Sequence, residues 1–194
     1  MSIKPLIDYI QRDIELTTEE IKHIENSVVL KTYLKGQYLV QQGDICKYSA
    51  FILNGCTKTF HVDEDGNEYV LMFGVEDWWA GDIASYVNQT PADYNIQFLE
   101  QSQVVLFPKV NEDNLFYSIP KLERFFRLIS ERGLIATQKR IVRGFSMSAK
   151  EQYLYFKNQY PQIEQRIPQY MVASYLGITK EFLSKIKKQI ATEE

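Results

Sequence analysis

Cysteine is scarce. The 194-residue chain holds two, Cys46 and Cys56, too few for a disulfide framework or a four-thiolate cluster, which points to a reducing cytoplasm. Both fall near neighbouring strands of one expected hairpin and read as ordinary small side chains rather than a redox pair. Histidine is equally rare, and neither His23 nor His61 has a carboxylate or thiol at ligand spacing, so no metal or cofactor is expected. No apolar run approaches the roughly 18 to 20 residues that a membrane-spanning helix needs. The opening Met1-Ser2-Ile3-Lys4-Pro5 lacks the apolar stretch of a signal peptide. There is no G-x-S-x-G, no phosphate loop and no nucleophile beside a base, and Glu19-Glu20 fits a helix cap better than paired catalytic acids. No catalytic residue is expected. A cytoplasmic, non-enzymatic protein is the resulting expectation.

What is present is a composition for packing: 45% hydrophobic, 13% aromatic and 24% charged, which excludes a disordered or low-complexity chain. The net charge of −3 is unevenly placed. Seven basic and five acidic residues lie from Lys150 onward, against fifteen basic and twenty acidic before it. Within Arg166–Lys188 the ratio is five basic to one acidic, a local surface suited to a polyanion on a chain whose pI is only about 5.6.

Three periodicities follow one another. Thr17-Thr18-Glu19-Glu20 has capping-box form ahead of Ile21, Ile24 and Val28 at helical spacing. From about Val29 to Pro108 short β-branched and aromatic runs alternate with turn signals. The runs are 38–40, 49–53, 57–62, 69–73, 96–99 and 104–107, and Asn54-Gly55 reads as a hairpin turn. Strands so spaced suggest a closed antiparallel roll, with Trp78-Trp79 packing at its rim. Beyond Pro120, Leu122, Phe125, Phe126, Ile129, Gly133, Ala136 and Ile141 stripe a helix of about 24 residues. The stripe serves either as packing on the roll or, the reading preferred here, as a homodimer seam in which small Gly133 and Ala136 allow close approach.

The stretch 168–188 is the most specific. Pro168 opens a helix that buries Val172 and Leu176 and keeps Ala173 small at a crossing; Gly177 breaks it; Ile178 plugs the turn; Thr179 caps a second helix held by Leu183 and Ile186. A small residue, Gly four later, then apolar positions six and nine after that Gly is the spacing of a DNA-reading helix-turn-helix. The candidate DNA-binding residues are Thr179, Lys180, Glu181, Ser184, Lys185, Lys187 and Lys188, with Lys187 and Lys188 assigned to phosphates.

Leu34-Lys-Gly-Gln-Tyr-Leu-Val-Gln-Gln-Gly-Asp44, Phe51-Ile-Leu-Asn-Gly55, Asp63-Glu-Asp-Gly-Asn-Glu68 and Gly81-Asp82, followed by the long helix and the helix-turn-helix, resemble the Crp/Fnr transcription regulators in order across nearly the whole chain. The resemblance implies an α+β protein. Its parts would be an N-terminal β-roll (jelly roll) sensor over 1–118 with flanking helices, a dimerisation helix over 119–145 and a helix-turn-helix head over 146–194. Double-stranded DNA, a second copy of the chain, RNA polymerase and a small effector are the implied partners. In members that bind cyclic AMP the phosphate cassette runs Gly-Glu-Leu and then Arg-Ser-Ala. Here Gly81-Asp82-Ile83 resembles the first part, while Ala92-Asp93-Tyr94 stands at the second. The phosphate-pairing arginine is missing. Losing a charge-assisted contact costs about 1.5 to 3 kcal/mol, so cyclic AMP is an unsuitable effector. Four cluster cysteines of the Fnr kind are also missing. The effector residues the resemblance implies are Gly81, Asp82, Ile83, Ser85, Asp93 and Tyr94. The hairpin wing that many members carry is not seen, since only 191–194 follow Ile190. That and the acidic pI fit an alternative, a ligand-binding or protein-interaction module with a degenerate head.

Overall fold

Thr17 caps α2 (Thr18–Ser27) as its spacing predicts. Its hydroxyl accepts from the Glu20 amide at 3.2 Å, and the Glu20 carboxylate accepts from the Thr17 amide at 2.7 Å. Each bond satisfies an N–H that the first helical turn leaves without a partner. The computed structural model describes residues 2–193. A shorter helix, α1 (Lys4–Ile10), precedes α2 and buries Leu6, Ile7 and Ile10.

Eight strands follow: β1 (Val29–Tyr33), β2 (Tyr38–Val40), β3 (Tyr48–Asn54), β4 (Thr57–Val62), β5 (Glu68–Gly74), β6 (Trp79–Ala80), β7 (Asn95–Phe98) and β8 (Ser102–Pro108). They form two antiparallel sheets, ordered β1-β8-β3-β6 and β2-β7-β4-β5. Between the sheets Tyr33, Val40, Ile52, Ile96, Phe98 and Val104 form one core. Tyr33 stacks on Phe98 with ring centroids 4.2 Å apart. The expected roll is present.

Asn54-Gly55 is not a hairpin turn. β3 pairs with β6 and β8 while β4 pairs with β5 and β7, so this dipeptide carries the chain from one sheet to the other. The glycine is still needed, because its φ is +131° and an added Cβ would lie 2.1 Å from the Ser102 hydroxyl oxygen. The cysteines therefore do not share a hairpin. Cys46 packs between the sheets and Cys56 in a separate core, and both are buried free thiols. Burial pushes the Cys56 thiol up to about 12, which leaves it without thiolate character. The true hairpin is β4–β5, turned through 63–67 with Gly66 at φ +82°.

The helices α3 (Ile83–Asn88) and α4 (Lys109–Ser118) flank the sheets. The long helix α5 runs over Lys121–Ser146, starting two residues and ending one residue later than expected. The first half of its expected stripe packs on its own body, while Ile141 stays exposed. Leu122 and Phe125 are fully buried against α1, β3 and β8, and Phe126 and Ile129 pack on the same cluster. Trp79 is its aromatic hub, with ring centroids 5.1 to 6.2 Å from Phe51, Phe107, Phe125 and Phe126. Gly133 and Ala136 continue this inward face but are exposed.

Past Met147 lie α6 (Ala149–Gln159), α7 (Pro161–Arg166), α8 (Gln169–Tyr175) and α9 (Lys180–Glu193). Ser148 and Glu151 form a second capping box at α6. These four helices are not a detached unit. Tyr153, Phe156, Val172, Leu183 and Ile186 share a core with Cys56, Phe60, Val70 and Phe73 of the roll.

Candidate functional site

The turn between α8 and α9 follows from residues already singled out. Met171, Val172 and Ala173 are buried on α8, while Leu176 is half-buried rather than buried. Gly177 takes φ +68°, a left-handed conformation that a side chain resists. The Ile178 amide donates to the Ala173 carbonyl at 3.0 Å, closing the turn. The Thr179 hydroxyl accepts from the Phe182 amide at 3.1 Å, capping α9. Leu183, Ile186 and Ile190 then point into the core.

The opposite face of α9 is open. Thr179, Lys180, Glu181, Ser184, Lys185 and Lys188 are exposed, and none of Lys180, Lys185 and Lys188 forms an ion pair among the described residues. At positions i, i+1, i+4, i+5 and i+8 these charged and hydroxyl side chains share one side of the helix. Lys187 departs from the reading that sent it to phosphates. It is half-buried, pairs with Glu164 at 3.4 Å and lies over the Tyr153 ring. A residue the sequence reading missed is Phe182, which stands 48% exposed on the first turn of α9.

Arg166, counted from sequence as surface charge, is instead a clamp. Its guanidinium donates to both Glu76 oxygens at 2.8 and 3.0 Å and to Glu100. Burial alone would raise the Glu76 carboxyl, but Arg166 and the Gly55 amide, 2.8 Å away, hold it down at about 2. Ser174 ties the same parts from α8, donating to the Glu68 carbonyl at 2.9 Å and accepting from the Val70 amide at 3.0 Å. Since β5 ends its sheet, the hydroxyl satisfies backbone groups at an otherwise open edge. These partners lie 66 to 106 residues apart in the chain, which is why no local pattern announces them.

Replacing Arg166 with Met should cost about 1 to 2 kcal/mol. That is below the roughly 3 to 5 of a fully buried pair, because both carboxylates keep 38% of their side-chain exposure. A carboxyl held below its ordinary 4.5 adds stability above that pH and loses it as pH falls toward 2. Urea titrations should thus show the wild-type advantage over Arg166→Met shrinking between pH 4.5 and 2; a pH-independent gap would contradict the clamp.

The candidate effector residues do come together, around the start of α3. Their roles differ from the expected lining. Asp82 is buried: one carboxylate oxygen accepts from the Ser85 amide at 3.0 Å, and the other from the Asp93 and Tyr94 amides at 2.9 and 3.3 Å. The Ser85 hydroxyl, also buried, donates to the Thr90 carbonyl at 2.6 Å and accepts from the Cys46 amide. Both are therefore committed to holding the loop 89–95 rather than open to a ligand. Gly81 and Tyr94 are half-buried, while Ile83 and Asp93 face solvent. Ala92 is buried and offers no charge. An anion approaching here meets two carboxylates, with the two nearest amides already donating to one of them. Calorimetry with cyclic AMP should show binding weaker than micromolar; micromolar or tighter affinity would contradict this geometry.

Trp78 and Trp79 do not line this loop: Trp79 faces α5 and Trp78 packs edge-on against Tyr160 at 5.7 Å. Among the described residues no group of three or more His, Cys, Asp or Glu side chains gathers for a metal, and no helix is long and apolar enough to cross a membrane.

The roll is similar to the cyclic nucleotide-binding domain. The family model of that description matches residues 30–117, which covers β1 through nearly all of α4. No curated protein matches the chain in sequence. Among solved structures, FixK2 from Bradyrhizobium japonicum superposes with a TM-score of 0.74 at 14% identity, covering 86% of this chain and 85% of that one. CLP of Xanthomonas campestris, described as a c-di-GMP responsive global regulator, gives 0.73 at 13%, covering 91% and 93%. The Thermus thermophilus catabolite activator protein gives 0.58 at 16%, covering 92% and 85%. The likeness extends past the roll through α5 and the terminal helices, and at such identities it is one of fold.

Proposed function

We propose that the chain is a homodimeric, DNA-binding transcription regulator of the Crp/Fnr type, acting in the cytoplasm and sensing through its roll a small effector other than cyclic AMP. One observation carries this reading: a capped helix α9, set by a glycine turn, presents a face of unpaired lysines beside Glu181 and Ser184. Its support includes the fold shared with a global regulator and a catabolite activator protein. The units are a sensor over 1–118, a dimer helix over 119–145 and a head over 146–194, with RNA polymerase as the further partner that a regulator implies. No catalytic role is assigned to any residue.

Lysine donates to guanine O6 and N7, and glutamate accepts from cytosine N4. Lys180, Glu181 and Lys185 therefore read bases, with Thr179 and Ser184 beside them, while Lys188, two turns into α9, meets phosphate. Lys185→Ala or Glu181→Ala should cost about 1 to 3 kcal/mol on the preferred site and little on random duplex. Lys188→Ala should weaken both equally and lower the salt slope by about one. Lys187→Ala should act through lost packing on Tyr153 and Glu164 rather than through the salt slope. Fluorescence anisotropy at two salt concentrations separates these patterns. Unchanged affinity in the Lys185, Glu181 and Lys188 variants would leave the alternative, an interaction module with a degenerate head.

The dimer seam is assigned to the outward face of the second half of α5. Leu134, Ile135, Ile141, Val142 and Phe145 are exposed there. With Gln138 they repeat at positions g, a, d, g, a, d, a seam-like pattern without a partner in the monomer.

A further inference from the structure

Where α5 ends, a cleft opens between it, α6 and α8. Arg140 and Arg143 form one wall, and Gln152, Tyr155, Phe156, Tyr160, Tyr175 and Leu176 line the rest. The Arg140 guanidinium lies 4.3 Å from the Tyr175 ring centre, and that of Arg143 lies 4.1 Å from Tyr155. Stacking holds a guanidinium by its face and leaves its N–H edges free to donate. Arg140 spends part of its edge on the Leu71 and Tyr175 carbonyls. Among the described residues the Arg143 guanidinium makes no hydrogen bond and neither arginine has a carboxylate partner, although every other arginine there except Arg124 meets one. Two positive charges thus share a half-buried, ring-walled cleft with no counter-charge. Arg140 and Arg143 also project from the side of α5 opposite the Leu134, Ile141 and Phe145 face, so a dimer formed through that face leaves the cleft open.

We infer that this cleft binds the oxyanion head group of a small aromatic acid, a carboxylate or a phosphate monoester. The free volume of about 30 Å³ holds roughly two water-sized groups. That suits two oxygens of one head group while the ring rests on the tyrosines at the mouth. Guanidinium forks match such paired oxygens, and the rings exclude water from the contact. An occupant would join α5 to the helix-turn-helix region, through residues none of which belongs to the α3 loop.

Calorimetry on the full chain tests this with phenyl phosphate and benzoate as probes and phenol as the uncharged control. Either acid should bind with submillimolar affinity that weakens with added salt, and phenol should not bind. Arg143→Gln should reduce affinity at least about tenfold, one lost charge-assisted contact. Arg143→Lys, which keeps the charge but not the fork, should fall between. Circular dichroism on both variants should match wild type, because Arg143 is half-exposed and its side chain stacks on Tyr155 without an ion pair. Equal affinity in Arg143→Gln, equal binding of phenol, or no binding of either acid at millimolar concentration would overturn the site. A backbone phosphate of DNA carries the same chemistry. Phenyl phosphate should therefore remain bound when the protein is saturated with random-sequence duplex; its displacement would assign the cleft to DNA and overturn the small-molecule ligand.

Discussion

Ile141→Glu should convert the protein from dimer to monomer in light scattering, with the secondary structure unchanged. Ile141 is 53% exposed on α5 and shares its face with Leu134, Val142 and Phe145. In a two-fold interface the substitution enters twice, placing two unpaired carboxylates against apolar side chains. Each costs several kcal/mol unless the interface opens. Ala136→Glu is the control, since Ala136 lies on the opposite side of the helix and should stay dimeric. Ile129→Glu should instead loosen the protein internally, because Ile129 packs on the buried cluster that includes Phe51, Val105 and Phe107 of the roll. Dimers surviving Ile141→Glu, or monomers from Ala136→Glu, would move the seam elsewhere.

Gly55→Ala should lower stability by about 3 kcal/mol or more, read from urea midpoints at constant slope. Two costs combine there. A φ of +131° is strained for any side chain, and the new methyl would stand 2.3 Å from the Ser102 Cβ and 2.8 Å from its Cα. The backbone contact cannot be relieved by rotating a side chain. Gly36→Ala separates the two costs: Gly36 also has positive φ, at +87°, but nothing lies within 4 Å of the point its methyl would occupy. That variant should lose only about 1 to 2 kcal/mol. Equal losses in the two variants would show that strain alone governs Gly55.

Both results bear on what could be read from the chain. Strands over 38–40 and 57–62 were legible to the residue because β-branched and aromatic runs ended at strong turn formers. The same local signal misassigned Asn54-Gly55, since whether a glycine turn closes a hairpin or crosses between sheets depends on distant β8. β6 spans two residues, too few for any period, and its pairing with β3 makes it a strand. Helix α5 is apolar on two faces, and periodicity cannot say which one its own roll covers. Val172, Ala173, Gly177, Thr179, Leu183 and Ile186 were legible because two short helices joined by a tight turn are built from contacts within about 15 residues. The surface beside it was less so. Arg166 and Lys187 have carboxylate partners on other segments, and removing them from the basic count leaves Lys180, Lys185 and Lys188 as the exposed lysines of α9.

Selection of bound duplexes from a randomised pool, followed by anisotropy on the recovered sequence at two salt concentrations, tests DNA reading by this face most directly. Enrichment of an inverted repeat is expected, its half-sites about one helical turn apart. Affinity for it should exceed that for random duplex by roughly a thousandfold or more, and Lys185→Ala should erase most of that ratio. No enriched sequence, or equal affinity for the recovered and random duplexes, would contradict a sequence-reading regulator.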